Sequence, residues 1–330
     1  MSKTLVVAPS WIGDAVLSHP LLMRLKEADP QGTIDVLGPA WVLPVYKRMP
    51  EVAGTLTLPF GHGDLKLGER RRFARTLPAY DRAVVLPNTL KSALIPWHAG
   101  IPVRTGWHGE MRYGLLNDRR ALDEEALPLI VERYAALAQP KDEALRRPLP
   151  EPRLTVDPAA RAAAIARLGL DTSRPIAAFA PGAEYGPAKR WPSRHFARLA
   201  RDLDARGHAV WLFGSGKDTE VTAQINRLAD GLCVDLAGKT SLAEAIDLLS
   251  LATRVVSNDS GLMHVAAALD RPMAAIFGSS SPAHTPPLSA KARVISLRLE
   301  CSPCFARDCP LGHTNCLEKL EPADVLTAIH

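Results

Sequence analysis

No stretch of this chain is long and apolar enough to span a bilayer. The first apolar run, Leu5–Pro9, is too short for the core of a secretory signal, and Asp14 soon interrupts it. Both absences predict a cytoplasmic protein. Aromatic residues are scarce, at 5%. They do not interleave with basic residues, which argues against a nucleic-acid partner bound by base stacking. Cysteine is scarce too, with five in all, yet Cys301, Cys304, Cys309 and Cys316 share one short window. In a cytosolic chain such a cluster points to a metal or redox feature rather than a disulfide frame. No internal repeat stands at solenoid spacing, and no tract is of low complexity.

What is present is ordinary globular composition, 47% apolar and 23% charged. The 330 residues exceed one core and predict two domains. The net charge of +5 suits an acidic partner such as an anionic membrane surface, or serves solubility alone. Arginine crowds the first half: Arg70, Arg71, Arg72 and Arg75, then Arg104, Arg112, Arg119 and Arg120.

Short apolar runs alternate with helical periodicity. Leu5–Pro9, Ile34–Leu37, Thr55–Leu58, Ala83–Leu86 and Val103–Trp107 read as strands, Asp14–Lys26 and Pro128–Ala138 as helices. The stretch from Gln139 to Arg153 is rich in proline and charge, which marks a linker. Beyond it, Ile176–Ala180, Ala209–Phe213, Val234–Leu236, Val255–Val256, Met273–Phe277 and Val294–Leu297 are strand candidates. They alternate with helices that include Ser193–Arg206, and Ser241 with Glu244 forms a capping box for another. The fold class is therefore α/β: two Rossmann-like domains, 1–150 and 151–330, each a parallel sheet covered by helices. Ligands in such sheets sit at the carboxyl ends of strands. That rule directs attention to the loops before helices and to a central cleft.

Ser10-Trp11-Ile12-Gly13-Asp14 joins the first strand to the first helix. It lacks the three-glycine dinucleotide fingerprint. Asp14 either caps the helix or faces a ligand as a general base. Pro181–Pro192 combines two glycines with Lys189 and Arg190, a loop suited to phosphate or simply to solvent, and it is not a P-loop. Ser257–Leu269 is a polar turn followed by a small-residue helix. Asp259, Ser260 and Gly261 stand at its amino end, and His264 one turn in is a ligand or a satisfied core histidine. Phe277–Leu288 is a further polar loop that could complete a sugar pocket. The four cysteines are spaced C-x2-C-x4-C-x6-C, which suits structural zinc, an iron–sulfur cluster, or free thiols in a lid.

The strings PSWIGDAVLSHPLL, GHGDLKLGERR, LPNTLKSALIPWHAGIPVRTGWHGEMRYGLLND, PGAEYGPAKRWP, LFGSGKD and NDSGLMHVAAALDRP closely resemble the lipopolysaccharide heptosyltransferases of glycosyltransferase family 9, particularly those that add the second heptose. The likeness runs over nearly the whole chain. It implies the GT-B architecture, with a lipid-linked acceptor on the first domain and ADP-heptose on the second. It implies inverting transfer of L-glycero-D-manno-heptose to the first heptose of the lipid A-linked inner core, at the cytoplasmic face of the inner membrane. Asp14 matches the proposed catalytic base and Lys189 the lysine on the donor phosphates. Asp259, Ser260, Gly261 and His264 match the sugar-donor motif, while Glu184, Asp218 and Leu242 fall near further donor positions. Ser10, Gly13, Lys91, Arg104 and Arg112, with Arg70–Arg72, are candidates for holding the acceptor's carboxylates and phosphates. No obligatory catalytic metal is expected, and magnesium is at most stimulatory. The rivals are a heptosyltransferase with another core acceptor and a nucleotide-sugar epimerase of the same fold.

Overall fold

The computed structural model describes residues 2–61 and 63–329. The chain divides into two compact units, Met1–Pro152 and Arg153–His330. Each contains one six-stranded sheet, and every strand pairing is parallel.

In the first unit the strands are β1 (Lys3–Val7), β2 (Thr33–Gly38), β3 (Gly54–Thr57), β4 (Arg82–Val85), β5 (Val103–Trp107) and β6 (Asp118–Arg120). Their order is β3-β2-β1-β4-β5-β6, so the chain reverses its direction of travel across the sheet at β1 and β4. That reversal is where a parallel sheet opens a crevice for ligands. Leu5, Val7, Leu37, Ala83 and Val85 are buried beneath Ala93, Ile95 and Tyr80.

One expected element differs. The run from Asp14 to Lys26 is two helices, Ile12–Leu17 and His19–Ala28. Pro20 stands in the first turn of the second, where its missing N–H does no harm. Ser18 Oγ turns back to the Ala15 carbonyl at 2.7 Å, a local bond that competes with helix continuation.

The second unit holds β7 (Ile176–Ala180), β8 (Ala209–Leu212), β9 (Val234–Asp235), β10 (Ala252–Asn258), β11 (Met273–Ile276) and β12 (Ala292–Ile295). Their order is β12-β11-β10-β7-β8-β9. The Ser193–Asp204 helix shows why the layers hold. Phe196, Leu199, Ala200 and Leu203 recur at helical spacing and are all buried. The Phe196 ring meets Trp191 edge-on at 4.8 Å and Phe179 at 5.5 Å. Each large apolar side chain so buried contributes about 1.5–3 kcal/mol. Ser241 and Glu244 form the capping box read from the sequence: Ser241 Oγ accepts the Glu244 amide at 3.2 Å, and the Glu244 carboxylate accepts the Ser241 amide at 2.8 Å.

Among the described residues, no helix is long and apolar enough to cross a membrane.

Candidate active site

In the first unit, β1 leads into the Ile12–Leu17 helix. Trp11 holds the N-cap position in extended conformation and supplies no side-chain cap. Asp14 lies in the first turn, where its charge complements the helix dipole, but it accepts no helical amide. Its carboxylate is half-buried and has no hydrogen-bond partner among the described residues. Desolvation alone raises its pKa to about 6. The phenols of Tyr46 and Tyr134 are buried close enough to feel that carboxylate, and burial pushes both well above the usual phenol value. Ser18 Oγ forms a 2.9 Å hydrogen bond with Tyr46 Oη. Tyr46, Tyr134 and Ser18 were not singled out by sequence. A tyrosine in an apolar run carries no local sign that it will line an aspartate's pocket.

The arginines considered for the acceptor are engaged within the first unit. Arg112 is completely buried. Its guanidinium donates to Pro87 O at 2.8 Å, to Asn88 Oδ1 at 3.1 Å and to Trp107 O. Burial lowers its pKa to about 10. Arg104 donates to Leu115 O and Ile101 O, at 2.6 and 2.5 Å. Arg70 is buried and holds Leu65 O and Asp64 O, each at 2.7 Å. These three side chains brace loops of the first unit, mostly through main-chain carbonyl groups. Lys91 is half-buried in the Leu90–His98 helix. Ser10 and Gly13 stay in the loop and turn beside Asp14, and the Ser10 carbonyl accepts the Trp41 indole N–H at 2.8 Å.

In the second unit the chemistry gathers where β7 and β10 end. Lys189 Nζ donates to Asp259 Oδ2 at 2.6 Å, and both side chains are largely withdrawn from solvent. Asn258, next to Asp259, stitches three segments together. Its amide donates to Pro181 O at 2.7 Å, and its carbonyl accepts the Trp191 amide at 3.1 Å. Sequence reading passed over Asn258, although it stands in the same polar turn. Ser260 is the N-cap of the Gly261–Ala268 helix, yet no side chain caps it, so the helix amides there remain open to an anion. His264 is buried within electrostatic reach of Asp259 and Lys189. Burial holds its pKa near 4, against the pull of Asp259, so it is neutral at neutral pH. Its Nδ1 has no partner among the described residues.

Glu184 is paired with Lys217 on the surface. Asp218 accepts both the amide and the hydroxyl of Ser215, each at 2.8 Å, which fixes the turn after β8. A Cβ on Gly182 would lie 2.4 Å from Asp218 Oδ1, so these two loops approach in a way only glycine permits. Leu242 opens the Leu242–Leu249 helix and is half-buried. Asp218 thus fixes the loop after β8, and the Glu184–Lys217 pair ties it to the loop after β7.

The cysteine segment packs on the same loops. Phe305 N donates to Ser279 O at 2.7 Å, Tyr185 Oη to Phe305 O at 3.0 Å and Ala188 N to Arg307 O at 3.0 Å. All four cysteines are free thiols. Main-chain amides, Thr314 foremost, hold the Cys309 thiol below its usual pKa. Burial, then the neighbouring Cys301, Cys304 and Cys309, pushes Cys316 up. Among the described residues, no three His, Cys, Asp or Glu side chains are grouped closely enough to hold a metal ion. Through its hydrogen bonds to Tyr185 and Ala188 the segment braces the Lys189 loop.

The first unit thus offers a half-buried aspartate without a hydrogen-bond partner among the described residues, and the second a lysine–aspartate pair beside an uncapped helix end that suits an anionic group. The sequence profile of glycosyltransferase family 9 (heptosyltransferase) matches residues 70–315. This chain belongs to glycosyltransferase family 9. Within that family it is 49% identical to lipopolysaccharide heptosyltransferase 2 of Salmonella typhimurium, over 99% of this chain and 97% of the relative. It is 50% identical to lipooligosaccharide heptosyltransferase 2 of Haemophilus influenzae, over 89% and 88%. Among solved structures, ADP-heptose lipopolysaccharide heptosyltransferase II of E. coli superposes with a TM-score of 0.89 at 46% identity, covering 99% of this chain and 97% of the other. The α/β architecture expected of the family 9 chain, two Rossmann-like units of GT-B type, is the one observed.

Proposed function

We propose that the chain transfers L-glycero-D-manno-heptose from ADP-heptose to the first heptose of the lipopolysaccharide inner core, with inversion at the transferred carbon. The observation that carries this reading is 49% identity along 99% of the chain with a relative named for that activity. The site chemistry agrees with it. The acceptor hydroxyl attacks the anomeric carbon, its proton passes to the Asp14 carboxylate, and the bond to the β-phosphate of ADP breaks. Asp14 suits a base that must be ionised at neutral pH yet hold a proton in passing, since its pKa is about 6. As ADP departs, Lys189 and the uncapped amides after Ser260 stabilise the charge that develops on the diphosphate. Asp259 holds Lys189 in position through their 2.6 Å contact. A cation and helix amides do the work that a metal clamp does elsewhere, so turnover persists in a chelator and magnesium is at most a stimulant.

The test is ADP release from ADP-heptose with lipopolysaccharide carrying a single inner-core heptose. Acceptor-dependent release that is lost in Asp14→Ala supports the reading. Release only with heptose-free or longer cores assigns a different acceptor, and release without any acceptor assigns hydrolysis.

A further inference from the structure

The first unit carries an exposed face that neither its core nor Asp14 uses. In the Leu67–Ala74 helix, Leu67 and Arg71 stand four residues apart, and Arg75 follows four later at the C-cap. Residues at this spacing share one side of a helix. All three are exposed, with Leu67 at 52%. Arg70, by contrast, faces inward. Beside this stripe is the end of the Leu90–His98 helix, where Trp97 is 45% exposed and its ring lies 4.7 Å from that of His98. After burial, Arg71 and Arg75 are the influences that lower the His98 pKa, so both guanidinium groups stand within electrostatic reach of the Trp97–His98 pair. Leu65 and Lys66, in the approach to the helix, are exposed as well. Of the nearby acids, Asp64 is already paired with Lys66 at 3.3 Å, and Glu69 stands two residues from Arg71, off the stripe.

Leu65, Leu67 and Trp97 are large apolar side chains exposed on or beside two helices that pack together, and grouped apolar exposure is what marks an interaction surface. The combination of a tryptophan, an aliphatic residue and two arginines matches the chemistry of a bilayer's headgroup layer. There an indole sits at the interface, guanidinium groups pair with lipid phosphates, and long side chains place apolar stems below charged heads. We infer that the face formed by Leu67, Arg71, Arg75, Trp97 and His98 docks the protein on an anionic lipid surface. The inference rests on the proposed function only for the reason the protein visits a membrane, namely a lipid-linked acceptor. The contact is shallow and electrostatic, so salt weakens it.

The experiment is co-flotation of the full chain with phosphatidylcholine vesicles, with and without phosphatidylglycerol, compared with the double variant Arg75→Glu/Trp97→Ser. Wild type should bind the phosphatidylglycerol vesicles, lose them as salt rises, and leave the neutral vesicles unbound. Since one cation near an anionic surface is worth about fivefold in binding, reversing one and removing the indole should cost more than about tenfold. The variant should keep its thermal midpoint and its ADP release on detergent-dispersed acceptor. If it does not fold, Arg75→Gln alone should lose about fivefold. Wild-type failure to bind anionic vesicles overturns the inference, and so does unchanged binding by the folded variant. Loss of detergent-phase turnover in step with vesicle binding also overturns it, because the face would then be part of the substrate site. Absence of ADP release by wild type would defeat the transferase reading while leaving the vesicle result to decide the surface.

Discussion

Asp14 and Asp259 each lie just past a central strand and at or near the start of a helix, Asp14 after the first strand of its sheet and Asp259 after the fourth. Their surroundings are opposite. Asp14 has no hydrogen-bond partner among the described residues, stands within electrostatic reach of the Tyr46 and Tyr134 phenols, and its proton affinity rises. Asp259 is held by Lys189 at 2.6 Å. One fold thus presents a carboxylate as a proton acceptor on one sheet and as an anchor for a cation on the other. The difference lies in what the surroundings deliver: tyrosines from the Leu43–Tyr46 and Ile130–Ala136 helices in one case, and a lysine from the segment after β7 in the other.

The largest effect should come from removing the lone acid. Asp14→Asn should lower kcat by about 10²–10⁴-fold and leave the KM for ADP-heptose nearly unchanged. The same substitution should stabilise the fold. Asp14 binds its proton more tightly folded than unfolded, with a pKa of about 6 against 3.8. Its ionisation costs no stability below the unfolded value, costs progressively more as pH rises, and costs its full amount above about pH 6. Thermal melts at pH 8 should therefore show the variant more stable by on the order of 2 kcal/mol, with the gap closing below about pH 4. Equal melting curves at pH 8 would remove the contrast between the two aspartates.

Next comes the cation. Lys189→Ala should lower kcat by about 10²–10³-fold in steady-state ADP release. Asp259→Asn should cost about 10²-fold or less, because it misplaces Lys189 without deleting it. If Asp259 works through Lys189, the double variant should be no slower than Lys189→Ala alone. Additive losses would mean that Asp259 acts on the substrate independently.

Smaller effects separate brace from ligand. Arg112→Ala should lower stability by about 2–4 kcal/mol in chemical denaturation, since three carbonyl groups lose a buried donor. Breaking the exposed Glu184–Lys217 pair with Lys217→Ala should change stability by less than about 0.5 kcal/mol. A larger change in donor KM would assign Glu184 to ADP-heptose rather than to the loop.

Much of the scaffold was legible because buried parallel strands are written as short apolar runs. Ile176–Ala180 and Val103–Trp107 stand in the structure at the bounds read from sequence. What escaped has a physical reason in each case. β6, Asp118–Arg120, is a polar three-residue edge strand with no hydrophobic signal. The Leu67–Ala74 helix reads as a charge cluster because three of its eight residues are arginines. The Leu90–His98 helix contains Pro96, which lowers any helical reading. At the site, Asp14, Lys189 and Asp259 stood out because loops between strand and helix carry chemistry in this class of fold. The arginines are less legible. Whether a guanidinium meets a ligand or a backbone carbonyl depends on loops far apart in sequence, as Arg112 does on Pro87 and Trp107.

That arginine has a consequence for anyone who would graft loops onto the first unit. By gripping the segment after β4 and the segment after β5 at once, Arg112 makes them one mechanical piece. Gly109 completes the joint, for a Cβ there would lie 2.5 Å from the Asn88 carbonyl. Residues 87–90 and 107–113 therefore form a cassette. A graft that exchanges one segment and keeps the other would pull the keystone from its arch, whereas exchanging both with their arginine and glycine moves the arch whole.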